Sequence, residues 1–222
     1  MRSILALMLV LFISATQAQE VDKVNTHAGE LGWGVRSTGS IFSGSGNYFG
    51  IGAGFQIRYR VTNHLGSEWF ADWITTDIGG LGQRTDSHIG VSAMIYPGKK
   101  QGLRNSFTPY VLGGFCGDYT KITSNLSFND IENRYTTDSK DRWSFATQLG
   151  LGTHYNITKS VDISASAQYV MHFGADIHSE IESNANGEDF LHIHHDNSSS
   201  LEGHWFFTLS INYVLVDLIK KK

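Results

Sequence analysis

Six of the ten histidines fall after residue 170, at His172, His178, His192, His194, His195 and His204, and "HIHHD" from His192 to Asp196 is the densest group. Neighbouring imidazoles can hold zinc, copper or nickel. In an extended segment His192 and His194 project from one side, and Glu180, Glu182, Glu188, Asp189 and Asp196 add carboxylates to the same region. His192, His194, His195 and Asp196 are therefore candidate metal ligands. Their spacing matches no established site, and the simpler reading is a solvated polar loop. Nearby, "HSE" from His178 to Glu180 offers a serine with a base and an acid. Nucleophilic chemistry needs the base within hydrogen-bond reach of the hydroxyl, whereas adjacent residues of an extended chain point to opposite sides. No catalytic residue is assigned.

A second set is charged. In "YFGIGAGFQIRYRVTNHLG", from Tyr48 to Gly66, alternate positions carry Phe49, Ile51, Ala53, Phe55, Ile57, Tyr59 and Val61 on one face and Gly50, Gly52, Gly54, Gln56, Arg58 and Arg60 on the other. A period of two is that of a β-strand with unlike faces. Glu68 and Asp72 follow on the next alternating run. Whether the arginines meet water or line an interior depends on the elements that carry them.

Eight segments alternate in this way, at about 30–39, 48–62, 67–76, 87–97, 106–118, 142–156, 160–173 and 204–215. Most exceed the roughly 5–6 residues of a globular strand and reach the roughly 9–11 that a tilted membrane-spanning strand needs. Short joints such as "TNHLG" and "NITKS" take turns with longer polar ones, "SIFSGSGN", "TDIGGLGQRTDS", 119–141 and 174–203. An up-and-down barrel with tight turns at one rim and long loops at the other produces that order. The polar faces are small and hydrogen-bonding, as in Ser144, Gln148, Gly152 and His154 or Asp162, Ser164 and Gln168, which suits a crowded interior. The opposite faces supply a lipid surface, and Trp33, Tyr48, Tyr59, Trp69, Tyr96, Phe107, Trp143, Phe173 and Trp205 near strand ends are expected to form interfacial belts.

The first residues, "MRSILALMLVLFISATQAQE", set Arg2 before an apolar run and offer small residues for cleavage after Ala18. This reads as a signal peptide over 1–18, with a barrel domain over 19–222; the run is too short to span a membrane as a helix. A net charge of −4 gives no basic surface for nucleic acid, and Lys220, Lys221 and Lys222 read as a solvated tail. The single cysteine, Cys116, excludes an intrachain disulfide framework and is expected to pack within a strand.

With "FTPYVLGGFCGDY", "FATQLGLGTHYNITKSVDISASAQY" and the closing "FFTLSINYVL", nearly the whole mature chain resembles the small eight-stranded outer-membrane β-barrels of the OmpA/OmpX type, the outer membrane protein β-barrel domain family. The resemblance implies an all-β, antiparallel up-and-down transmembrane barrel in a bacterial outer membrane. It implies no shared catalytic motif and no cofactor. Its partners would be outer-membrane lipid, the outer-membrane insertion machinery, and an extracellular ligand or surface partner held by the loops. One departure is that "VDLIKKK" follows the aromatic closing segment, so the assembly signal is not strictly terminal.

In that setting the arginines belong inside, because a lipid-facing Arg near the bilayer midplane costs roughly 2–4 kcal/mol. Buried charges need partners. A turn centred near His64 would set Arg60 opposite Glu68 and Gln56 opposite Asp72, with Arg58 diagonal to both acids, so that Arg58, Arg60, Glu68 and Asp72 form lumen ion pairs. An eight-stranded barrel is only just wide enough for its own side chains. The expected function is therefore non-enzymatic, an envelope-structural or surface-interaction role through long extracellular loops. The alternatives are a narrow solute channel, a lipid-modifying outer-membrane enzyme and a soluble lipocalin-like binder. Turns at about 62–66, 97–105 and 156–160 are expected to face the periplasm.

Overall fold

The computed structural model describes residues 27–42, 48–98, 104–129, 134–174, 176–184, 186–196 and 202–219. The expected signal peptide over 1–18 and the Lys220 to Lys222 tail lie outside the described residues. Eight strands close into an antiparallel barrel: β1 (Glu30–Phe42), β2 (Phe49–Arg60), β3 (Leu65–Asp77), β4 (Gly82–Ile95), β5 (Ser106–Ser124), β8 (Ser139–Asn156), β9 (Val161–Phe173) and β12 (Glu202–Asp217). Two hairpins interrupt the series, β6 (Ser127–Asn129) with β7 (Arg134–Thr136), and β10 (Asp176–Ser183) with β11 (Asp189–Asp196). β12 closes the ring on β1, from Glu30↔Asp217 to Phe42↔His204. Val216 and Asp217 thus belong to the closing strand rather than trailing it. A closed ring leaves no unpaired edge, which is the condition for strands to cross lipid.

Side chains alternate between two unlike surfaces. Phe49, Ile51, Phe55 and Ile57 of β2, Leu149 and Leu151 of β8, and Phe207, Leu209 and Ile211 of β12 all point outward and are exposed. Ile89 is 70% and Leu149 66% exposed, an apolar skin that suits hydrocarbon rather than water. Of the expected belt residues, Trp33, Trp69, Phe107, Trp143, Phe173 and Trp205 lie on this outer surface. Tyr96 does not. It is buried in the lumen against Met94, Tyr110 and Leu112, because it shares the inward phase of Ser92 and Met94. Tyr48 packs on an interior cluster instead of a belt.

Three long joints prove to be largely strand. β5 and β8 run for 19 and 18 residues, well beyond the roughly 9–11 needed to cross, so they project past the lipid. The expected 119–141 loop is thereby reduced to the end of this ladder and the β6–β7 hairpin. The joint between β3 and β4 shrinks to a tight turn, with Gly79 and Gly80 at φ of 61° and 75°, values that residues with a Cβ adopt at a cost. Beyond the bilayer the outward face has no need to be apolar. The sequence alternation there fades while the backbone pairing continues.

Candidate functional site

Because the outer surface is given to lipid, the chemistry-bearing side chains lie in the lumen and on the projecting hairpins. The inward face of β5 orders the lumen into layers. Tyr110 and Leu112 belong to a cluster near the short-turn rim, Cys116 to a middle apolar layer with Phe70, Ile74, Ala146, Val170 and Phe206, and Ile122 to a cluster at the far mouth. Cys116 is buried there, within its strand.

Between the short-turn rim and the middle layer lies a charged network. The β2–β3 register sets Arg58 opposite Glu68, Gln56 opposite Phe70, Gly54 opposite Asp72 and Arg60 opposite Gly66, two residues away from the expected pairing. The cause is the turn. The Thr62 hydroxyl accepts from the backbone N–H groups of His64 and Leu65, and the pairs on either side centre on Asn63 rather than His64. Arg58 Nε lies 2.7 Å from Glu68 Oε2, and Arg58 Nη1 lies 3.3 Å from Asp162 Oδ1. Arg60 instead sets its guanidinium over the Tyr96 ring, 3.3 Å from the centroid.

The partner that joins both acids is Arg36 of β1. Its Nη1 is 3.2 Å from Glu68 Oε1 and its Nε 3.0 Å from Asp72 Oδ1, while its guanidinium carbon sits 4.8 Å from the Phe70 ring centre. The Asp72 contact is close in distance without the alignment of a hydrogen bond. Sequence reading missed Arg36, although its phase was visible, since Trp33 and Val35 face out and Gly34, Arg36 and Thr38 face in. His154 extends the network, with Nε2 3.1 Å from the Tyr96 hydroxyl and its ring stacked on Tyr110.

A second polar layer lies on the other side of Phe206. His88 of β4, His172 of β9 and His204 of β12 converge here, all buried, around Asp118 of β5. His172 Nδ1 is 3.0 Å from Asp118 Oδ2, His88 Nε2 is 3.2 Å from Asp118 Oδ1, and His172 Nε2 is 3.2 Å from His204 Nε2. Ser144 donates to Asp118, and the single Thr120 hydroxyl proton lies between Asp86, 2.7 Å away, and Asp118, 3.2 Å away; Asp86 pairs with Arg84 at 3.1 Å.

The β10–β11 hairpin covers this layer. Ile177, Leu191 and Ile193 on one of its faces pack against Ile78 and Ile122 at the barrel mouth, with Tyr48 and Leu81 alongside. Gly82 lets Leu191 approach the wall, since a Cβ there would lie 2.6 Å from Leu191 Cδ2. The opposite face carries His178, Glu180, His192 and His194, with rings 5.9 Å apart for His178 and His194 and 5.7 Å apart for His192 and His194. His195 falls on the side of Leu191 and Ile193, away from His192 and His194, and the side chain of Asp196 lies outside the described residues. Of the "HSE" residues, Ser179 pairs with Ile193 while His178 and Glu180 pair with His194 and His192, so strand alternation turns the hydroxyl away from its neighbours.

The family described as outer membrane protein beta-barrel domain matches residues 3–195. Among solved structures, a major outer membrane protein from Thermus thermophilus aligns with a TM-score of 0.54 at 13% identity, covering 83% of this chain and 99% of that one. Outer membrane protein W of E. coli is 24% identical over 85% of this chain and 98% of its own, with a TM-score of 0.41. The N-terminal β-barrel domain of Pseudomonas aeruginosa OprF is 15% identical over 85% and 98%, with a TM-score of 0.44. No curated protein sequence matches the chain. At these identities the structural likeness speaks to fold alone, and it is the family match, together with the closed ring and its apolar skin, that fixes the assignment. The chain belongs to the outer membrane protein beta-barrel domain family and is an eight-stranded barrel of the bacterial outer membrane.

Proposed function

We propose that this barrel is a sealed, non-enzymatic anchor that displays its hairpins at the cell surface, with a role in envelope structure or surface contact. The observation that carries this reading is the filled lumen. A network joins buried Arg36 and Glu68 to half-buried Arg58 and Asp162 across the section, and the mouth beyond it is plugged by Ile177, Leu191 and Ile193. A solute would have to break buried ion pairs to pass, which disfavours the channel alternative. The separation of Ser179 from His178 and Glu180 removes the motif that prompted the lipid-modifying alternative. The His178, Glu180, His192 and His194 face of β10–β11 points away from the barrel mouth and is the surface offered to an extracellular partner. The closing strand, with outward Trp205, Phe207, Leu209 and Ile211, supports insertion by the outer-membrane assembly machinery.

This reading requires the turns at 61–64, 96–105 and 157–160 to face the periplasm. Single cysteines at Glu188, in the β10–β11 turn, and at Lys159, in a Cys116→Ser background, test it in intact cells with an impermeant thiol reagent. Labelling at Glu188 with protection at Lys159 is the expected result. The reverse pattern would place the hairpins in the periplasm and end the surface role.

A further inference from the structure

The sequence draws attention to "HIHHD", but another set of histidines comes together in the fold. We propose that the barrel binds one divalent late transition-metal ion inside its lumen, through His88, His172 and His204. Around the ring, β4 and β12 are separated by β5, β8 and β9, so His88 and His204 reach inward from opposite walls. One ligand atom from each of the three residues lies within 4.8 Å of the others. Zinc–imidazole bonds of about 2.0–2.1 Å at a tetrahedral angle put two ligand nitrogens roughly 3.3 Å apart. His172 Nε2 and His204 Nε2 are already 3.2 Å apart.

The surroundings are those of a metal-binding set. Metal-ligating imidazoles commonly give their second nitrogen to a carboxylate, which fixes the tautomer and ring orientation. Asp118 does this for His172, reaching Nδ1 at 3.0 Å, while its Oδ1 lies 3.2 Å from His88 Nε2, close in distance without the alignment of a hydrogen bond. With Nδ1 of His172 held as the donor to Asp118, its Nε2 keeps the lone pair that a metal needs. Asp118 is in turn held by the Ser144 hydroxyl, with the Thr120 hydroxyl shared with Asp86. A second observation points to an absent ligand. His88 is fully buried, and neither of its ring nitrogens has an aligned hydrogen-bond partner among the described residues, an unusual state for polar atoms withdrawn from water. Three imidazoles select zinc, copper or nickel over calcium or magnesium, which take oxygen ligands.

The position gives the ion a structural role. It would tie β4 to β9 and β12 across the lumen, directly beyond Phe206, whose ring centre is 4.9 Å from that of His88 and 4.8 Å from that of His204. The β10–β11 cover hides the layer, so the ion loads during folding and exchanges slowly afterwards. This proposal stands apart from the surface role and survives if that role fails.

The test is to refold the purified full chain in detergent with Zn2+ present, strip loosely held metal with a chelator, and measure retained zinc by elemental mass spectrometry. The wild type and the His192→Ala/His194→Ala variant should each retain roughly one ion per chain. His172→Gln and His204→Gln should lose it, and Asp118→Asn should bind roughly 10- to 100-fold more weakly. Refolding the wild type in Co2+ gives a readout that needs no variant to fold, namely the intense visible absorption of a four-coordinate site. Retention that follows His192 and His194 instead, or a wild type that retains no zinc and gives no four-coordinate cobalt spectrum, would overturn the proposal.

Discussion

Glu68→Ala is expected to destabilise the folded barrel by about 3–5 kcal/mol, the usual cost of leaving a buried charge without its partner. Glu68 is buried and serves two guanidiniums at once, Arg36 at 3.2 Å and Arg58 at 2.7 Å. Removing the carboxylate leaves Arg36 to Asp72 and Arg58 to Asp162. Adding Arg58→Ala should then cost less than it does alone, with a coupling of about 0.5–3 kcal/mol between the two sites. Arg60, set opposite Gly66 and over Tyr96, should couple to Glu68 more weakly than Arg58 does. Urea titration of the detergent-folded protein, followed by tryptophan fluorescence, measures all of these. Stronger coupling through Arg60 than through Arg58 would restore the register expected from sequence and contradict the observed one.

Leu149→Arg is expected to cost about 2–4 kcal/mol, the penalty for a cation at the bilayer midplane. Leu149 is exposed on the outer face of β8, six residues from Trp143 toward one rim and six from Tyr155 toward the other. Trp143 pairs with Tyr119, and Tyr155 pairs with Phe107, which marks two aromatic belts with Leu149 midway between them. The same change at Trp143 should cost about 0–1 kcal/mol, since the penalty fades near an interface. Unfolding from lipid vesicles separates the two. Equal costs at both positions would mean that Leu149 does not face the hydrocarbon centre.

What the sequence made legible follows from how far each signal reaches. Alternation in "YFGIGAGFQIRYR" is a property of single residues on one strand, so it puts Arg58 and Arg60 on one face and Phe55 and Ile57 on the other, whatever the strand pairs with. Register depends on the turn, and a centre displaced by one residue, from His64 to Asn63, moves every pair by two. The strand extensions of β5 and β8 were hidden because, past the lipid, both faces of a strand can be polar; β10 and β11 do alternate, Ile177, Leu191 and Ile193 against His178, Glu180, His192 and His194, but over runs shorter than the roughly 9–11 residues of a spanning strand.

The histidine layer shows the harder limit. His88, His172, His204 and Asp118 each sit on the inward phase of a recognisable strand, yet nothing local says that they share a height in the barrel. That height is set by the tilt and stagger of strands that are not neighbours. The "HIHHD" histidines drew attention by sequence proximity, but a strand splits such a run between two faces, which is why His195 parts from His192 and His194.

Planar-bilayer recording with the purified full chain bears most directly on the sealed lumen. Protein inserted at concentrations that give steady channels with a known porin should leave the current at the bare-membrane baseline. The charged network of Arg36, Arg58, Glu68 and Asp162 and the cover of Ile177, Leu191 and Ile193 both block the path. Reproducible unitary steps, above all steps that grow when Glu68 is replaced by alanine, would show an open path through the barrel and contradict the sealed-anchor function.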